Sequence, residues 1–229
     1  MVTNPALPVD PQVARIELDG RPLRIQPRVY LLLNKPRGPL STALDHRGRQ
    51  TVLDLIGNPR QRLYPAGRLD ADTEGLLIIT NDGDLTLRLT HPRYGVEKVY
   101  EAEVKGRASQ RALSQLRQGM VLEDGPTGPA RVRVLRSGGQ TSRVELSIHS
   151  GRKRQVRRML QAVGHPVMSL VRTRVGPLTL GRLRPGEWRE LTQDELASLW
   201  REVENAAGAG ASAAEDRKQR SKRGCGRQP

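Results

Sequence analysis

The stretch GRLDADTEGLLIITNDG, residues 67–83, contains a candidate catalytic carboxylate, Asp70. Asp70 follows Arg68 and precedes an apolar run at residues 76–80 that predicts a buried strand. At the mouth of such a strand, an ionised carboxylate can act as a nucleophile or stabilise an electron-poor carbon. Taken alone, an aspartate here is more often an ordinary turn residue, and catalysis therefore needs partners from other segments.

The segment after Gly151 concentrates positive charge on one predicted helix, residues 152–163. Its apolar residues recur at helical spacing and form a core stripe of Val156, Met159, Leu160 and Val163. A second stripe beside it contains Arg154, Arg157, Arg158 and Gln161. Arg152, Lys153 and Arg154 crowd the N-terminal end, where the helix dipole disfavours each cation by roughly 0.3–1 kcal/mol. We expect phosphates or a buried carboxylate to offset this cost, although a solvated basic face also fits the pattern.

The whole chain is strongly basic. Its 229 residues include 39 Lys and Arg against 24 Asp and Glu, a formal net charge of +15 with a pI near 11.1. This excess indicates a polyanionic partner, because each cation placed against a phosphate releases condensed counterions. Most cations are arginines, which suit stacking and bidentate phosphate contacts, although genomic codon bias accounts for part of that preference. The candidate nucleic-acid contacts are Arg68, Lys98, Arg152, Lys153, Arg154 and Arg158, of which Arg68 and Lys98 fit an ordinary surface role equally well.

Composition argues against several other classes of protein. No apolar run approaches the roughly 20 residues that cross a bilayer, and the first residues lack the basic start and apolar centre of a signal peptide. A single cysteine, Cys225, excludes a disulfide framework and a Cys-based zinc site. The four histidines are not in ligand spacing. We therefore expect a cytoplasmic protein that binds neither a metal ion nor a membrane.

Strands joined by hairpins and interspersed with short helices predict an α+β fold with a mixed, mainly antiparallel sheet. Strands are predicted at residues 29–33, 76–80, 97–105, 131–135, 143–149, 170–175 and 187–191. Helices are predicted at residues 51–57, 84–90, 108–118 and 152–163, and from a capping box at 192–195 to about residue 204. The expected organisation is an arm over residues 1–27 with a hairpin at Asp19 and Gly20, a main domain over 28–204, and a disordered basic tail over 205–229.

Three segments together resemble the RsuA/RluB-type ribosomal RNA pseudouridine synthases. They are GRLDADTEGLLIITNDG (67–83), EKVYEAEVKG (97–106) and GRKRQVRRMLQAVGHPV (151–167). Supporting matches are RVYLLLNKPRG (28–38), LEDGPTGPARV (122–132) and GPLTLGRLRPGEWREL (176–191), so that the likeness spans about residues 28–195 in the expected order. The resemblance implies two subdomains with a catalytic cleft between them, and no cofactor.

Carried over by motif, the family's nucleophilic aspartate falls on Asp70, its active-site tyrosine on Tyr100 and its ion-pairing arginine on Arg157. Uridine isomerisation breaks the C1′–N1 bond, turns the uracil and joins its C5 to the sugar. A buried carboxylate stays ionised when an arginine lies within about 4–6 Å, and the arginine keeps its own proton. Tyr100 would offer the uracil a flat face and a phenol for proton movement. The sequence leaves open whether Asp70 attacks C1′ or C6.

The resemblance also implies a substrate. YPAGRLD, HPRYGVEKVY and LEDGPTGPA look closest to the RluB-like branch, which predicts large-subunit ribosomal RNA, with small-subunit ribosomal RNA as the alternative. We expect the uridine to be flipped out, because stacking hides its reacting atoms. Such proteins usually begin with a small RNA-binding S4 domain, of which we expect only the last strand and linker here, ARIELDGRPLRI.

Two other functions fit the same residues. One is a noncatalytic RNA-binding or ribosome-assembly protein on this fold, which would have no need of Asp70, Tyr100 and Arg157 together. The other is a different RNA-modifying or glycosyl-cleaving enzyme that uses Asp70. In each case we expect a monomer, with the basic tail adding nonspecific affinity for RNA.

Overall fold

The computed structural model describes residue 10 and residues 16–22, 26–57, 59 and 61–205. Most of the predicted arm and nearly all of the predicted tail lie outside these residues. Within the arm, Asp19 and Gly20 form the turn between β1 (Glu17–Leu18) and β2 (Arg21–Pro22), with φ angles of +51° and +73°. Two consecutive positive φ angles are typical of a two-residue hairpin turn. The predicted hairpin is confirmed.

The other predicted elements occur in the predicted order, with ends that differ by a few residues, and the structure adds four strands of two residues each that were not predicted. The strands are β3 (Tyr30–Lys35), β4 (Tyr64–Pro65), β5 (Glu74–Thr80), β6 (Lys98–Lys105), β7 (Val121–Leu122), β8 (Gly125–Pro126), β9 (Arg131–Ser137), β10 (Thr141–Ile148), β11 (Val167–Val175), β12 (Leu178–Thr179) and β13 (Trp188–Glu190). The helices are α1 (Val52–Leu55), α2 (Gly83–Thr90), α3 (Gln110–Gln118), α4 (Gln155–Ala162) and α5 (193–205), with a 3₁₀ turn at Pro92–Tyr94. None of the helices in the described part of the chain has the length and apolar character to cross a membrane.

One large sheet organises the described residues, with the strand order β13-β3-β5-β11-β6-β10-β9. Two short strands lie off this path, β4 beside β5 and β12 beside β11. Every strand pair in it is antiparallel except β5 with β11, which is parallel. The predicted α+β class with a mixed, mainly antiparallel sheet is confirmed. The two halves of the sheet meet at the parallel pair.

Apolar side chains are buried on both faces of this sheet. One cluster contains Leu77 of β5 together with Val52, Leu113 and Met159 from α1, α3 and α4. The other contains Leu76 and Ile78 of β5 together with Leu85 from α2 and Leu199 from α5. Because helices cover both faces, β3 and β5 read as continuous apolar runs and not as an alternating pattern.

The parallel pairing of β5 with β11 depends on Gly75. This residue has a φ of +110°, and a Cβ atom there would lie 2.3 Å from the backbone oxygen of Arg172. Only glycine permits both the positive φ and this close approach. The strand that follows Asp70 therefore enters the sheet directly beside Arg172, its partner in the β11 register.

The start of α4 differs from the prediction. The helix begins at Gln155, three residues after the expected start, because Arg154 has a left-handed φ of +51° and ends the preceding turn. Gln155 is buried, and its side-chain oxygen accepts hydrogen bonds from Ser150 Oγ at 2.9 Å and the backbone N–H of Arg152 at 3.1 Å. The cations at positions 152–154 thus belong to a turn that Gln155 holds, ahead of the helix.

Candidate active site

A cavity of about 350 Å³ opens beside the parallel β5–β11 pair. Three segments line it: the loop before β5, residues of β6 and β11, and the turn that leads into α4. Asp70 lies on the first of these segments and Tyr100 on the second, and both line the same cavity. Residues that are 30 positions apart in the sequence thus line one cavity, which agrees with the position that the resemblance implies for them.

The loop that carries Asp70 is held by a buried lysine, Lys35, that the sequence analysis did not identify as important. Lys35 is 0% exposed, and its Nζ donates to the backbone oxygens of Pro36 at 2.9 Å, Thr73 at 3.1 Å and Ala71 at 3.4 Å. Burial lowers the pKa of Lys35 to about 8, although nearby carboxylates oppose the shift. A lysine directly before Pro36 at the end of an apolar strand is the sequence signal for this contact.

A second contact fixes the residue before Asp70. Ser41 Oγ donates to the backbone oxygen of Leu69 at 2.8 Å and lies 3.1 Å from the Leu69 nitrogen, whose N–H it accepts. The Leu69 side chain is buried, and the backbone N–H of Thr73 donates to the oxygen of Asp70 at 3.0 Å. Backbone contacts on both sides therefore fix the loop, while the Asp70 side chain faces the cavity.

Tyr100 lies in the interior of the sheet. It is 7% exposed and sits on β6 between Leu146 of β10 and Arg172 of β11. Its hydroxyl has no hydrogen-bond partner among the described residues, and it is not sealed off from the cavity. A ring fixed in the sheet with a free phenol can both contact a base and move a proton.

Arg157 pairs with a different carboxylate from the one predicted. Its Nη2 lies 3.4 Å from Asp72 Oδ2, and it donates to the backbone oxygen of Asp72 at 2.8 Å and to Thr73 Oγ1 at 3.3 Å. No ion pair of Asp70 occurs in the described part of the chain. The reason is the direction of the loop: Asp72 faces α4, whereas Asp70 faces the cavity. Burial lowers the pKa of Arg157, while Asp72, and more weakly Asp70, favour its charged form.

The six candidate nucleic-acid contacts separate into two groups. Those that line the cavity are Arg68, Lys98, Arg152, Lys153 and Arg154, whereas Arg158 does not line it. Arg68 and Lys153 are exposed at its rim. Arg154 makes two hydrogen bonds to the carboxylate of Asp72, at 3.2 and 2.9 Å.

Arg152 and Arg158 bind the β7–β8 hairpin. Arg152 donates to the backbone oxygen of Gly125 at 3.0 Å and that of Pro126 at 2.6 Å, and its Nη1 lies 3.5 Å from Asp124 Oδ1. Arg158 Nη2 pairs with Asp124 Oδ2 at 2.8 Å. In this structure both arginines therefore connect the hairpin to α4.

One buried side chain of the cavity that the sequence analysis missed is Arg172. It is 4% exposed, lines the cavity, and donates from Nε to the backbone oxygen of Leu76 at 2.8 Å. Lys98 is half-buried in the same cavity and donates to the backbone oxygen of Val96 at 3.0 Å. Burial, and next the charge of Arg172, lower the pKa of Lys98 to about 8.

The fold and the cavity define a pseudouridine synthase. A crystal structure of a pseudouridylate synthase superposes with a TM-score of 0.70 and 35% identity, covering 76% of this chain and 75% of that one. A chain from the structure of an H/ACA RNP bound to a substrate RNA containing 2′-deoxyuridine shares the fold, with a TM-score of 0.53 and 18% identity over 66% of this chain and 48% of that one.

The sequence itself places the chain in a family. Residues 29–162 match the model of the RNA pseudouridylate synthase family. An uncharacterized RNA pseudouridine synthase of Aquifex aeolicus is 45% identical over 89% of this chain and 82% of its own length. Ribosomal large subunit pseudouridine synthase B of Bacillus subtilis is 46% identical over 81% of this chain and 77% of its own length. The chain belongs to the RNA pseudouridine synthases, and the predicted family and enzyme class are confirmed.

Proposed function

We propose that the protein isomerises a specific uridine of large-subunit ribosomal RNA, with Asp70 as the nucleophile or charge-stabilising carboxylate. The observation that carries this proposal is that Asp70 and Tyr100 line one cavity whose rim is basic. The similarity to the large-subunit enzyme of Bacillus subtilis supports the choice of RNA. Small-subunit ribosomal RNA is the alternative substrate.

The chemistry assigns a task to each side chain. Breaking the C1′–N1 bond leaves C1′ short of electrons, and the carboxylate of Asp70 stabilises or bonds to that position. Tyr100 supplies a fixed ring against the uracil while the base turns. Arg157 acts through Asp72 and Thr73, because its hydrogen bonds to these two residues fix the Asp70 loop on the side that faces α4. It is therefore a positioning residue in this proposal.

RNA reaches the cavity by base flipping. The cavity lies inside the protein at the sheet, and a uracil stacked in a helix cannot enter it. The exposed Arg68 and Lys153 at the rim are placed to contact phosphates on either side of the flipped nucleotide. Loops and partly opened stems are the favoured targets, since unstacking costs least there.

Carbodiimide labelling of ribosomal RNA tests the assignment of Asp70. RNA from cells that produce the wild-type chain should carry a pseudouridine-specific label at one position, and RNA from Asp70→Ala cells should lack it. Asp45→Asn is the matched control, because Asp45 pairs with Arg49 and does not line the cavity. Equal labelling with wild type and Asp70→Ala would refute the role of Asp70.

The labelled position also tests the substrate. A label in large-subunit RNA agrees with the proposal, and a label in small-subunit RNA favours the alternative. The expectations that the enzyme is a monomer and acts in the cytoplasm stay predictions. Gel filtration with light scattering measures the first, and cell fractionation measures the second.

A further inference from the structure

Two cations of the cavity that are at least partly buried, Arg172 and Lys98, have no acidic partner among the described residues. Arg172 and Lys98 line it, and among the described residues no carboxylate lies within 4.0 Å of either. Burying a cation without a counter-charge costs several kcal/mol, and two neighbouring cations also repel each other. A sequence that keeps both residues here indicates that something else supplies negative charge when the site is in use.

The guanidinium of Arg172 is fixed in direction. Its strand, β11, pairs with Gly75 of β5 on one side and with Tyr100 of β6 on the other. Its Nε is held by the backbone oxygen of Leu76. The two Nη groups have no hydrogen-bond partner among the described residues, and neither is sealed inside the protein. They remain available as donors in the cavity.

The position of these two cations indicates that their partner in the bound RNA is the uracil and not a phosphate. Phosphates stay on the RNA backbone, where the exposed Arg68 and Lys153 at the rim can meet them. Arg172 is almost completely buried, on the same strand pair that holds Tyr100. A cavity of about 350 Å³ is at the small end of ligand pockets, which suits a single base.

We propose that Arg172, with Lys98 beside it, stabilises the negative charge that develops on the uracil when the glycosidic bond breaks. This inference rests on the proposed function, since it requires that the uridine is bound in this cavity. Preorganised donors aimed at developing charge in a site without bulk water are among the strongest contributors to catalysis. Neither cation needs to transfer a proton.

The C1′–N1 bond breaks and its electron pair goes to the uracil, where N1, O2 and O4 share the charge. Asp70 meets the electron-poor C1′ as nucleophile or counter-charge. After the base turns, C5 bonds to C1′, and the Asp70 carboxylate leaves C1′ if it has bonded there. C5 then loses its proton to solvent or a base, while N1 gains one. The charge on the uracil exists only between bond breaking and bond formation, and donors that meet it act mainly on the rate.

Single-turnover kinetics separate this role from simple binding. The probe is an in vitro transcript of ribosomal RNA labelled with [5-³H]uridine, because forming the C5 bond releases the tritium into water. Arg172→Met should slow tritium release about 10²–10³-fold, the usual effect of removing such a donor, and should change RNA affinity less than about threefold. Arg172→Lys should recover part of the rate. Arg174→Met, on the same strand but outside the cavity, should behave like the wild type.

A second substrate tests where the charge lies. In transcripts that contain 5-fluorouridine, the electron-withdrawing fluorine makes the uracil a better leaving group. The Arg172→Met defect should then shrink at least severalfold. The measured quantity is the single-turnover loss of 5-fluorouridine, followed by nuclease digestion and mass spectrometry, because the fluorine on C5 replaces the proton that the last step would release. A purely structural role of Arg172 would slow both substrates equally and would refute the proposal.

Other outcomes are equally decisive. Loss of RNA affinity with an unchanged rate would assign Arg172 to a phosphate and overturn the inference. If Arg172→Met does not fold, as judged by chemical denaturation, Arg172→Lys and Lys98→Met carry the same test. If Asp70→Ala keeps its activity, the proposed site fails as a whole, whatever Arg172 does.

Discussion

Two groups of cations, one at α4 and the turn before it and the other inside the cavity, differ in how their charge is balanced. The first group, which we call the paired arginines, consists of Arg152, Arg154, Arg157 and Arg158. Each of them pairs with a carboxylate, Asp72 or Asp124. These contacts attach the Asp70 loop and the β7–β8 hairpin to α4.

The second group consists of Arg172 and Lys98. In the described part of the chain, these two donate hydrogen bonds only to backbone oxygens and pair with no carboxylate. The difference indicates that the paired arginines hold protein segments in place, while the negative charge that balances the two cavity cations comes from the substrate. Partly exposed ion pairs contribute up to about 1 kcal/mol each to stability. The paired arginines therefore do not destabilise the folded protein. The second group destabilises the free enzyme in order to act on the bound base.

The largest expected effect is on the reaction rate after loss of a cavity cation. Lys98→Met should reduce single-turnover tritium release about 100-fold, because one of the two charges that face the uracil is gone. Arg154→Met should instead weaken RNA binding about threefold and leave the rate of bound RNA within a factor of about two. The same transcript and assay serve both variants.

Arg133→Met provides the control for this contrast. Arg133 lies on β9, pairs with Glu145 and does not line the cavity. It should match the wild type in rate and affinity. Equal rate losses in Lys98→Met and Arg154→Met would remove the distinction between the two groups.

Removing the charge of Lys98 should make the folded protein more stable, although it makes the reaction slower. The folded-state pKa of Lys98 is about 8, below the ordinary 10.5, so the unfolded chain binds more protons between these values. The Lys98 contribution is therefore unfavourable at pH 7 by about 3 kcal/mol and disappears as the pH rises toward 10.5. Lys98→Met should raise the free energy of unfolding by about 2 kcal/mol at pH 7. This net value allows for the hydrogen bond to the backbone oxygen of Val96 that the variant loses.

Urea denaturation of both proteins at pH 7 and pH 10 measures this difference. Comparing the variant with the wild type at each pH cancels the contribution of Lys35, whose pKa is also lowered to about 8. The advantage of Lys98→Met should shrink at pH 10. A less stable variant at pH 7 would show that Lys98 supports the fold.

Much of this arrangement is predictable from sequence, because it depends on local pattern. The apolar run before residue 80 predicts β5, and the spacing of Val156, Met159 and Leu160 predicts the buried face of α4. These two features need only the neighbouring residues. The shared site of Asp70 and Tyr100 is instead what the resemblance to the pseudouridine synthases implies.

The rest depends on contacts between distant segments. Arg172 alternates with apolar residues along β11, a pattern typical of an exposed strand face, and it is buried only because β5 and β6 flank it. Asp70 and Asp72 are two residues apart in one turn, and only the backbone path decides which one meets Arg157. No periodicity encodes either outcome.

The lowered pKa of Lys98 predicts that the reaction rate depends on pH. The charged or titratable residues that share the cavity with Lys98 are Arg68, Asp70, Tyr100, Arg152, Lys153, Arg154 and Arg172. If the protonated Lys98 stabilises the uracil, tritium release should fall about 10-fold as the pH rises from 7 to 9, through its pKa of about 8. Lys98→Arg keeps its charge over this range and should lose the decline. A decline that persists in Lys98→Arg would assign the titration to another group.

The smallest effect is expected when the carboxylate partner of two of the paired arginines is replaced. Asp72→Asn removes the carboxylate that holds Arg154 and Arg157, and it also removes a negative charge that repels RNA. RNA affinity should rise about threefold at low salt and return to the wild-type value at high salt, because the added attraction is electrostatic. The pairs are partly exposed, so the loss of stability should stay below about 1 kcal/mol.

Filter binding at about 50 and 300 mM salt measures this affinity, a range over which phosphate contacts weaken strongly. Glu145→Gln is the matched control, since it makes the same change of charge on β10 without lining the cavity. A gain of affinity in both variants would reflect net charge alone. A loss of affinity in Asp72→Asn would mean that Asp72 keeps Arg154 in its RNA-binding position, and the pair would then be part of the recognition surface.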